Sequence, residues 1–494
     1  MFNRFKTSDF SLILLFLIFI LLLISLTFFT HYYGSTDLGD YADTAKFFAG
    51  KYHANIRNSH SYLFGFFHFP FLKSFNNFLI FKFTSLFFLS LIIYSVYFLS
   101  GKNKKALWLI LLSPIVWYIA PWISPIQLSG LLLLWAYYYM AKYRSTKNIY
   151  CLVSSGVLIG LGWAFWNTLL FIGTFLGIIY LFDKKLYHSL FFIFSIFLGL
   201  FPLLVLDYFM FNFPFYTLLK TTASNFVATY FGGIYGFFPS DLVSKLIILF
   251  LIFLFIPFYY WKFYSPSIFK KEYRSLLFIS LVLLLILTNP QLRYLIVILP
   301  IILLFIINKL NNFQFKKQLI FSFFIILILI VPYLFQIRYQ VDDQIQGVDI
   351  SYFLKNINTL HFSSPFRSSL ILNDLVQITK NYPNQTFLVG PAVDDYQVLA
   401  DLYWNNNIHE FVSIQDYDLY LQNKTILFQK NFSFQPKINE RRQIFFIGGM
   451  RINEASLSDY SKIQYVISVN EPFYLKDFKF VQKYNVLYLY KKEI

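Results

Sequence analysis

Charge is scarce in this sequence, and most of what there is carries one sign. Asp, Glu, Lys and Arg make up 13% of the 494 residues, about half the share in an ordinary soluble chain. So little charge cannot cover the surface of a soluble protein this long. Cysteine is nearly absent as well. The single Cys151 excludes an internal disulfide and a thiolate metal cluster, and its apolar surroundings read as core packing. Neither a GxxxxGK[ST] nor a GxGxxG run occurs, so no nucleotide fingerprint supports an ATP-driven machine or a nucleotide-sugar enzyme. There is no internal repeat and no inverted pair of Gly/Pro-broken helices of the kind a secondary transporter would favour.

What is present is hydrocarbon: 57% hydrophobic residues, 65 of them Phe, and a mean hydropathy of +0.57. This is the composition of an integral membrane protein. Apolar runs long enough to cross a bilayer fall at roughly 10–30, 78–100, 106–120, 124–141, 150–164, 167–182, 188–206, 242–261, 275–288, 291–307 and 318–337, about eleven spans. The first follows a basic flank, exceeds a signal-peptide h-region and has no small-x-small cleavage site after it, so it reads as a retained helix. The 150–182 stretch reads either as one long tilted helix or as a hairpin.

Charge decides that parity. Taken alternately, the connections MFNRFK, GKNKK, AKYRSTK, FDKK, KFYSPSIFKKEYR and NKLNNFQFKK hold 17 Lys and Arg. The opposite set (31–77, 121–123, 165–166, 207–241 and 289–290) holds five. Positive connections stay cytoplasmic, and the alternation survives only if 150–182 is two spans. The N-terminus is then inside, with long outward loops at 31–77 and 207–241. The net charge of +17 is largely this bias, which removes nucleic acid as a partner. Beyond about residue 338 no spanning run remains. Short β-type runs at 386–390, 410–414, 443–449, 465–469 and 486–490 alternate with helical stretches such as DDYQVLADLYW, predicting an extracytoplasmic α/β domain over 338–494 behind a membrane domain over 1–337. Three N-x-S/T sequons, at Asn384, Asn423 and Asn431, fall in it.

Just past the first span, STDLGDYADTAKFFAGKYH carries Asp37, Asp40 and Asp43. Leu38, Tyr41, Ala45, Phe48 and Tyr52 recur at helical spacing, predicting an interfacial amphipathic helix, with a second over 61–71. Asp37 reads either as an N-cap or as a general base whose pKa burial raises. Asp40 and Asp43 read as a solvated helix face or, like Asp37, as a general base. Arg293 interrupts LTNPQLRYLIVILP and is either an interfacial snorkelling residue or a phosphate ligand. Asp207 opens the second long loop as a helix-end residue, a second acid or a metal ligand. Lys220 in that loop is a candidate for holding phosphate. His53, His60 and His68 have no compact metal spacing; His60 is a candidate for sugar contact.

These residues resemble the GT-C glycosyltransferases, which include the protein O-mannosyltransferases and the aminoarabinose transferases of lipid A. The first-loop pattern D-x-x-x-Y-x-x-x-A-(K/R)-x-(F/L)-x-x-G-x-Y is similar at Asp37, Tyr41, Ala45, Lys46, Phe48 and Tyr52, with Gly50 one position early. SPIQLSGLLLLWAYYYMAKYR, the glycine-bearing stretch after residue 155, DYFMFNFPF and QLRYLIVILP follow in family order. Leu38 stands where an acidic residue often follows the first aspartate, which leaves Asp37 alone or paired with Asp40. The W-W-D-Y-G signature is missing and the first loop has no D-x-D, which argues against transfer of an oligosaccharide to Asn.

The resemblance implies a multi-pass cell-membrane enzyme. It would move a single sugar from a polyprenyl-phosphate (for some members dolichyl-phosphate) donor to a hydroxyl on a protein, lipid or glycan outside, with inversion. Asp37, or Asp40, would be the base; Arg293, Lys220, Tyr41, His60 and Asp207 would bind substrate. The resemblance fixes no cofactor, and a divalent cation stays open. The competing expectations are a flippase or exporter of polyprenyl-linked glycans, which would want more polar spans, and an inactive assembly subunit with the same fold.

Overall fold

The computed structural model describes residues 7–29, 41, 44–45, 48, 62–75, 79–218, 250, 254–257, 259–260, 262, 266–288 and 292–334. In the C-terminal part it describes 338–340, 361–363, 374–375, 377–383, 385–389, 410–413, 436–438, 445–447, 464–468 and 478–493. The helices are α1 (Thr7–Phe29), α2 (Tyr62–Phe75), α3 (Leu79–Leu99), α4 (Lys104–Leu111), α5 (Pro114–Ile119), α6 (Ile126–Thr146), α7 (Ile149–Phe165), α8 (Leu169–Leu181), α9 (Leu186–Phe211), α10 (Pro266–Thr288), α11 (Leu295–Ile307) and α12 (Asn312–Leu334). By length and composition together, Ile80–Leu99 and Leu186–Phe209 can cross a membrane; Leu14–Phe28, Ile149–Phe165, Leu169–Leu181 and Leu295–Ile307 are apolar but shorter. The expected span 242–261 lies mostly outside the described residues.

The 150–182 stretch is a hairpin, and its glycines give the proof. A Cβ on Gly173 would strike Ile159, and one on Gly162 would strike Leu169. The paired numbers run in opposite directions, so α7 and α8 are antiparallel. A Cβ on Gly156 would lie 2.6 Å from that of Ser195, and one on Gly160 would overlap the Ile196 carbonyl and come within 3.0 Å of the Gly199 Cα. Those numbers rise together, so α7 and α9 are parallel. Between helices dissolved in lipid no hydrophobic force acts; small residues at four-residue spacing let backbones meet and dispersion hold them.

The alternation of connections is visible at both ends of the bundle. At one end Arg144 grips Asp183 through both guanidinium arms (Nη2 to Oδ2 2.9 Å), and Arg274 reaches the same carboxylate at 3.3 Å. Lys309 pairs with Glu272 at 3.3 Å, and Lys105 lies over the Phe315 ring at 5.7 Å. The Arg144 hydrogen bonds hold the Asp183 carboxyl below the usual carboxylate range. Five of the connections rich in Lys and Arg thus contribute to this end. Trp122, Trp166 and Arg293, in or beside three of the connections poor in charge, meet at the other.

One expected span is broken. Instead of a continuous 106–120 helix, α4 stops at Leu111 and α5 begins at Pro114. Proline has no N–H and its ring clashes with the preceding turn. The backbone freed by the break is recovered internally, since the Trp117 indole donates to the Leu111 carbonyl at 2.8 Å. Nearly everything around it is buried, as irregular backbone in a membrane fold requires.

In the C-terminal part the strands are β1 (Arg338–Gln340), β2 (His361–Ser363), β3 (Thr386–Val389), β4 (Glu410–Ser413), β5 (Pro436–Ile438), β6 (Phe445–Ile447), β7 (Tyr465–Ser468), β8 (Phe478–Lys483) and β9 (Tyr488–Lys492), five of which form one sheet in the order β4-β3-β7-β9-β8. β3 runs parallel to β4 and β7, while β9 is antiparallel to β7 and β8. The buried Asp374 carboxylate ties a short helical stretch to this sheet, accepting from the Val486 N–H at 2.7 Å, the Leu487 N–H at 3.0 Å and the Asn485 side chain at 2.8 Å.

The glycine seam yields a stability test. Gly160→Leu will lower stability by about 1–3 kcal/mol through overpacking, read as a lower midpoint of thermal unfolding in detergent, whereas Leu198→Ala on the exposed face of α9 will leave the midpoint nearly unchanged.

Candidate active site at the charge-poor end of the bundle

Three connections meet around one arginine. Residues 292–294 form a 3₁₀ turn ahead of α11, and its Arg293 is 5% exposed. Its guanidinium lies over the ring of Trp122, from the α5–α6 connection, and over that of Tyr294, each at 5.3 Å. The Tyr294 ring in turn lies 5.3 Å from Trp166, at the turn between α7 and α8. A desolvated cation on an aromatic face gains about 2 kcal/mol. Arg293 is therefore packed inside the protein rather than snorkelling to a headgroup.

The start of α6 closes this cluster from below. Gln127 is fully buried and its Nε2 donates to the carbonyls of Trp122 at 3.2 Å and Ile119 at 3.5 Å. Gly130 lets α6 approach α11: a Cβ there would sit 3.2 Å from the Ile296 carbonyl oxygen. Ser129 donates to the Gly162 carbonyl at 3.4 Å.

A second group of contacts builds the first long loop. Tyr41, Thr44, Ala45 and Phe48 are helical, and their one-turn spacing puts them on a common face. That face packs on α2: the Tyr41 ring is 5.0 Å from Phe64, and Phe48 is 5.1 Å from Phe66. At Gly65 the approach is closest, for a Cβ would lie 2.6 Å from that of Thr44 and 2.9 Å from the Ala45 nitrogen. The expected second helix over 61–71 is α2, longer by a turn. One side of it (Leu63, Phe64, His68) is buried while Phe66, Phe67 and Phe71 are exposed, the pattern of an interfacial helix.

α2 is pinned to α3 through His68. The ring stacks on Phe81 at 4.2 Å, Nδ1 donates to the Phe64 carbonyl at 2.7 Å and Nε2 meets the Thr84 hydroxyl at 3.0 Å. Burial pulls its pKa down to about 4, opposed by the Phe64 carbonyl. One turn before Thr84's neighbour Ser85, the buried Lys82 donates to the Thr27 carbonyl at 2.7 Å, one of the carbonyls a helix C-terminus leaves over. α1, α2, α3 and the 41–48 segment are thus joined by short polar bonds and one glycine contact.

Asp207 lies inside α9 rather than just after it, because the helix continues to Phe211 before Asn212 turns left-handed at φ 55°. Its fully buried carboxylate accepts from the Thr217 N–H at 2.8 Å and hydroxyl at 2.6 Å, folding the beginning of the second long loop back onto the helix. Asp37, Asp40, Asp43, His53, His60 and Lys220 lie outside the described residues. Among the described residues no group of three or more His, Cys, Asp or Glu is arranged to hold a metal ion. The sequence reading picked out Arg293, Asp207 and Tyr41, but not Trp122, Trp166, Gln127 or Lys82.

A helical membrane fold with a buried arginine at one end of the bundle and a five-stranded sheet in its C-terminal part defines a class of protein rather than a reaction. No family model matches the sequence, and no curated protein matches it. Solved structures do. The crystal structure of ArnT from Cupriavidus metallidurans bound to undecaprenyl phosphate is similar over 98% of both chains with a TM-score of 0.62 at 10% identity. The apo state of the same protein gives 0.57 at 12% identity, again over 98% of both. The chain has the fold of ArnT, an aminoarabinose transferase of the GT-C superfamily, the superfamily that its motifs resemble.

His68 gives a pH dependence with a definite sign. A histidine whose folded pKa is depressed stabilises the fold above its unfolded value of about 6.5, and that contribution is lost as pH falls toward about 4. Linkage puts the loss at about 3 kcal/mol. Unfolding midpoints measured from pH 7 to pH 4 will fall more steeply for the wild type than for His68→Phe.

Proposed function

We propose that this protein is a membrane glycosyltransferase that moves one sugar from a polyprenyl-phosphate donor to an acceptor hydroxyl outside the membrane. The observation that carries this reading is Arg293: a buried guanidinium at the charge-poor end of a fold shared along its whole length with ArnT, which binds undecaprenyl phosphate. Guanidinium pairs with phosphate oxygens in two parallel hydrogen bonds, and a buried site magnifies that attraction at the moment the phosphate leaves.

The chemistry asks little more of the protein. Polyprenyl phosphate is already a good leaving group, so no nucleotide and no strong acid is needed. An acceptor hydroxyl must be deprotonated, and we assign that to Asp37, with Asp40 as the second carboxylate. Attack in line with the departing phosphate inverts the anomeric centre. As the C–O bond to the acceptor forms, the bond to the phosphate oxygen breaks and Asp37 takes the hydroxyl proton. Arg293, with Lys220, carries the charge arriving on the phosphate. We assign Tyr41 and His60 to the sugar and acceptor side, and Asp207 braces the start of the second long loop through Thr217. A divalent cation is compatible with this scheme and no step requires one.

On this reading residues 1–337 are a catalytic membrane domain of about eleven spans, and 338–494 an extracytoplasmic α/β domain facing the acceptor. The N-terminus lies in the cytoplasm of a cell whose envelope or secreted products are glycosylated.

Two measurements test it. With the purified protein in vesicles and radiolabelled polyprenyl-phosphate hexoses, Asp37→Asn will release label from the lipid at least about a hundredfold more slowly than wild type. Arg293→Lys keeps the charge but loses the two-armed geometry, and will lower kcat by about a hundredfold or more. Turnover of no donor by the wild type, with cell extract supplying acceptors, would sink the transferase reading in favour of a flippase.

A further inference from the structure

Buried polar atoms in a native fold are nearly always hydrogen-bonded, and an acceptor left over in a buried place costs about 1–3 kcal/mol. Gln127 has such an atom. Its Nε2 faces two backbone carbonyls, Trp122 at 3.2 Å and Ile119 at 3.5 Å. Carbonyls only accept, so the amide cannot be turned over, and the oxygen is necessarily the end pointing elsewhere. No described group donates to Gln127 Oε1, and the residue has no exposed surface.

The neighbourhood indicates what it waits for. Trp122, to which Gln127 is bonded, carries the Arg293 guanidinium on its ring, and Trp166 stands behind Tyr294 in the same cluster. In a polyprenyl-phosphate sugar the phosphate and the sugar ring are directly bonded. A phosphate on Arg293 therefore brings the sugar within reach of whatever surrounds that arginine: indole faces, against which the C–H faces of a sugar pack, and one acceptor oxygen.

We propose that Gln127 Oε1 accepts a hydrogen bond from a hydroxyl or amino group of the donor's sugar, making Gln127 a specificity-determining residue of the site. This rests on the transferase reading above. An oxygen whose amide partner is already committed can only accept. The site therefore selects sugars that present a donor at that position and discriminates against those deoxygenated or O-alkylated there.

The test uses the full chain in vesicles. Undecaprenyl phosphate without sugar is titrated by quenching of tryptophan fluorescence, and turnover is followed with undecaprenyl-phosphate hexoses, comparing wild type with Gln127→Leu. We expect kcat/KM to fall about ten- to a hundredfold, equivalent to 1–3 kcal/mol, while affinity for undecaprenyl phosphate changes less than about twofold. A merely structural bracket would weaken both together, and that outcome, or unchanged turnover, overturns the proposal.

Should the variant not fold, wild-type protein with a series of monodeoxy donors decides. One deoxy position losing at least about tenfold supports the assignment; all positions within about twofold of the parent sugar overturn it. A wild type that binds undecaprenyl phosphate but shows no sugar-position dependence loses this inference alone. One that neither binds the lipid phosphate nor turns over any donor loses the transferase reading with it.

Discussion

Where α7 and α9 lie backbone against backbone, across Gly156, Gly160 and Gly199, the direction of every later helix is decided. Two parallel helices need an odd number of crossings between them, and α8 is the one available. The 150–182 stretch must therefore turn at Trp166–Thr168, which brings Trp166 to the same end as Trp122 and Arg293 and sends Arg144 and Asp183 to the opposite one. A long tilted helix in its place would exchange the ends of everything that follows. Contact between bare backbones thus sets which residues can meet at the arginine.

The two ends of the bundle use charge in opposite ways. At the Lys- and Arg-rich end, Asp183 and Glu272 neutralise cations in pairs that are partly exposed and contribute little energy individually. At the other end, among the described residues, the Arg293 guanidinium is buried against the rings of Trp122 and Tyr294. Rings favour a cation without neutralising it, so the contacts with Trp122 and Tyr294 leave the positive charge of Arg293 in place.

Much of the architecture was legible because hydrophobic runs and positive connections leave strong marks. The five β-type runs correspond to β3, β4, the Phe445–Ile447 strand, β7 and β9. β8 was overlooked because FKFVQK mixes lysines into an edge strand, and three-residue strands are too short for any periodicity. The break at Ser113–Pro114 was announced by its proline, yet average hydropathy ran straight across it. At the site, Arg293 stood out as a lone charge in an apolar run. Trp122, Trp166 and Gln127 are neutral residues in a chain that is 22% aromatic; only their meeting in space distinguishes them. Lys82 was hidden differently, since a lysine in the first turn of a span reads as a snorkelling end group.

That lysine also bears on how the protein is made. A transmembrane segment with a buried ammonium is a poor candidate for entering the bilayer by itself. α3 meets this difficulty by placing Lys82 on the Thr27 carbonyl at the end of α1, a segment synthesised some fifty residues earlier. The first span is in this sense a chaperone for the second: it offers the lysine an oxygen that hydrocarbon cannot. The natural unit of biogenesis is then the pair, delivered to the membrane with the loop that carries Asp37, Asp40 and Asp43 already strung between its two ends.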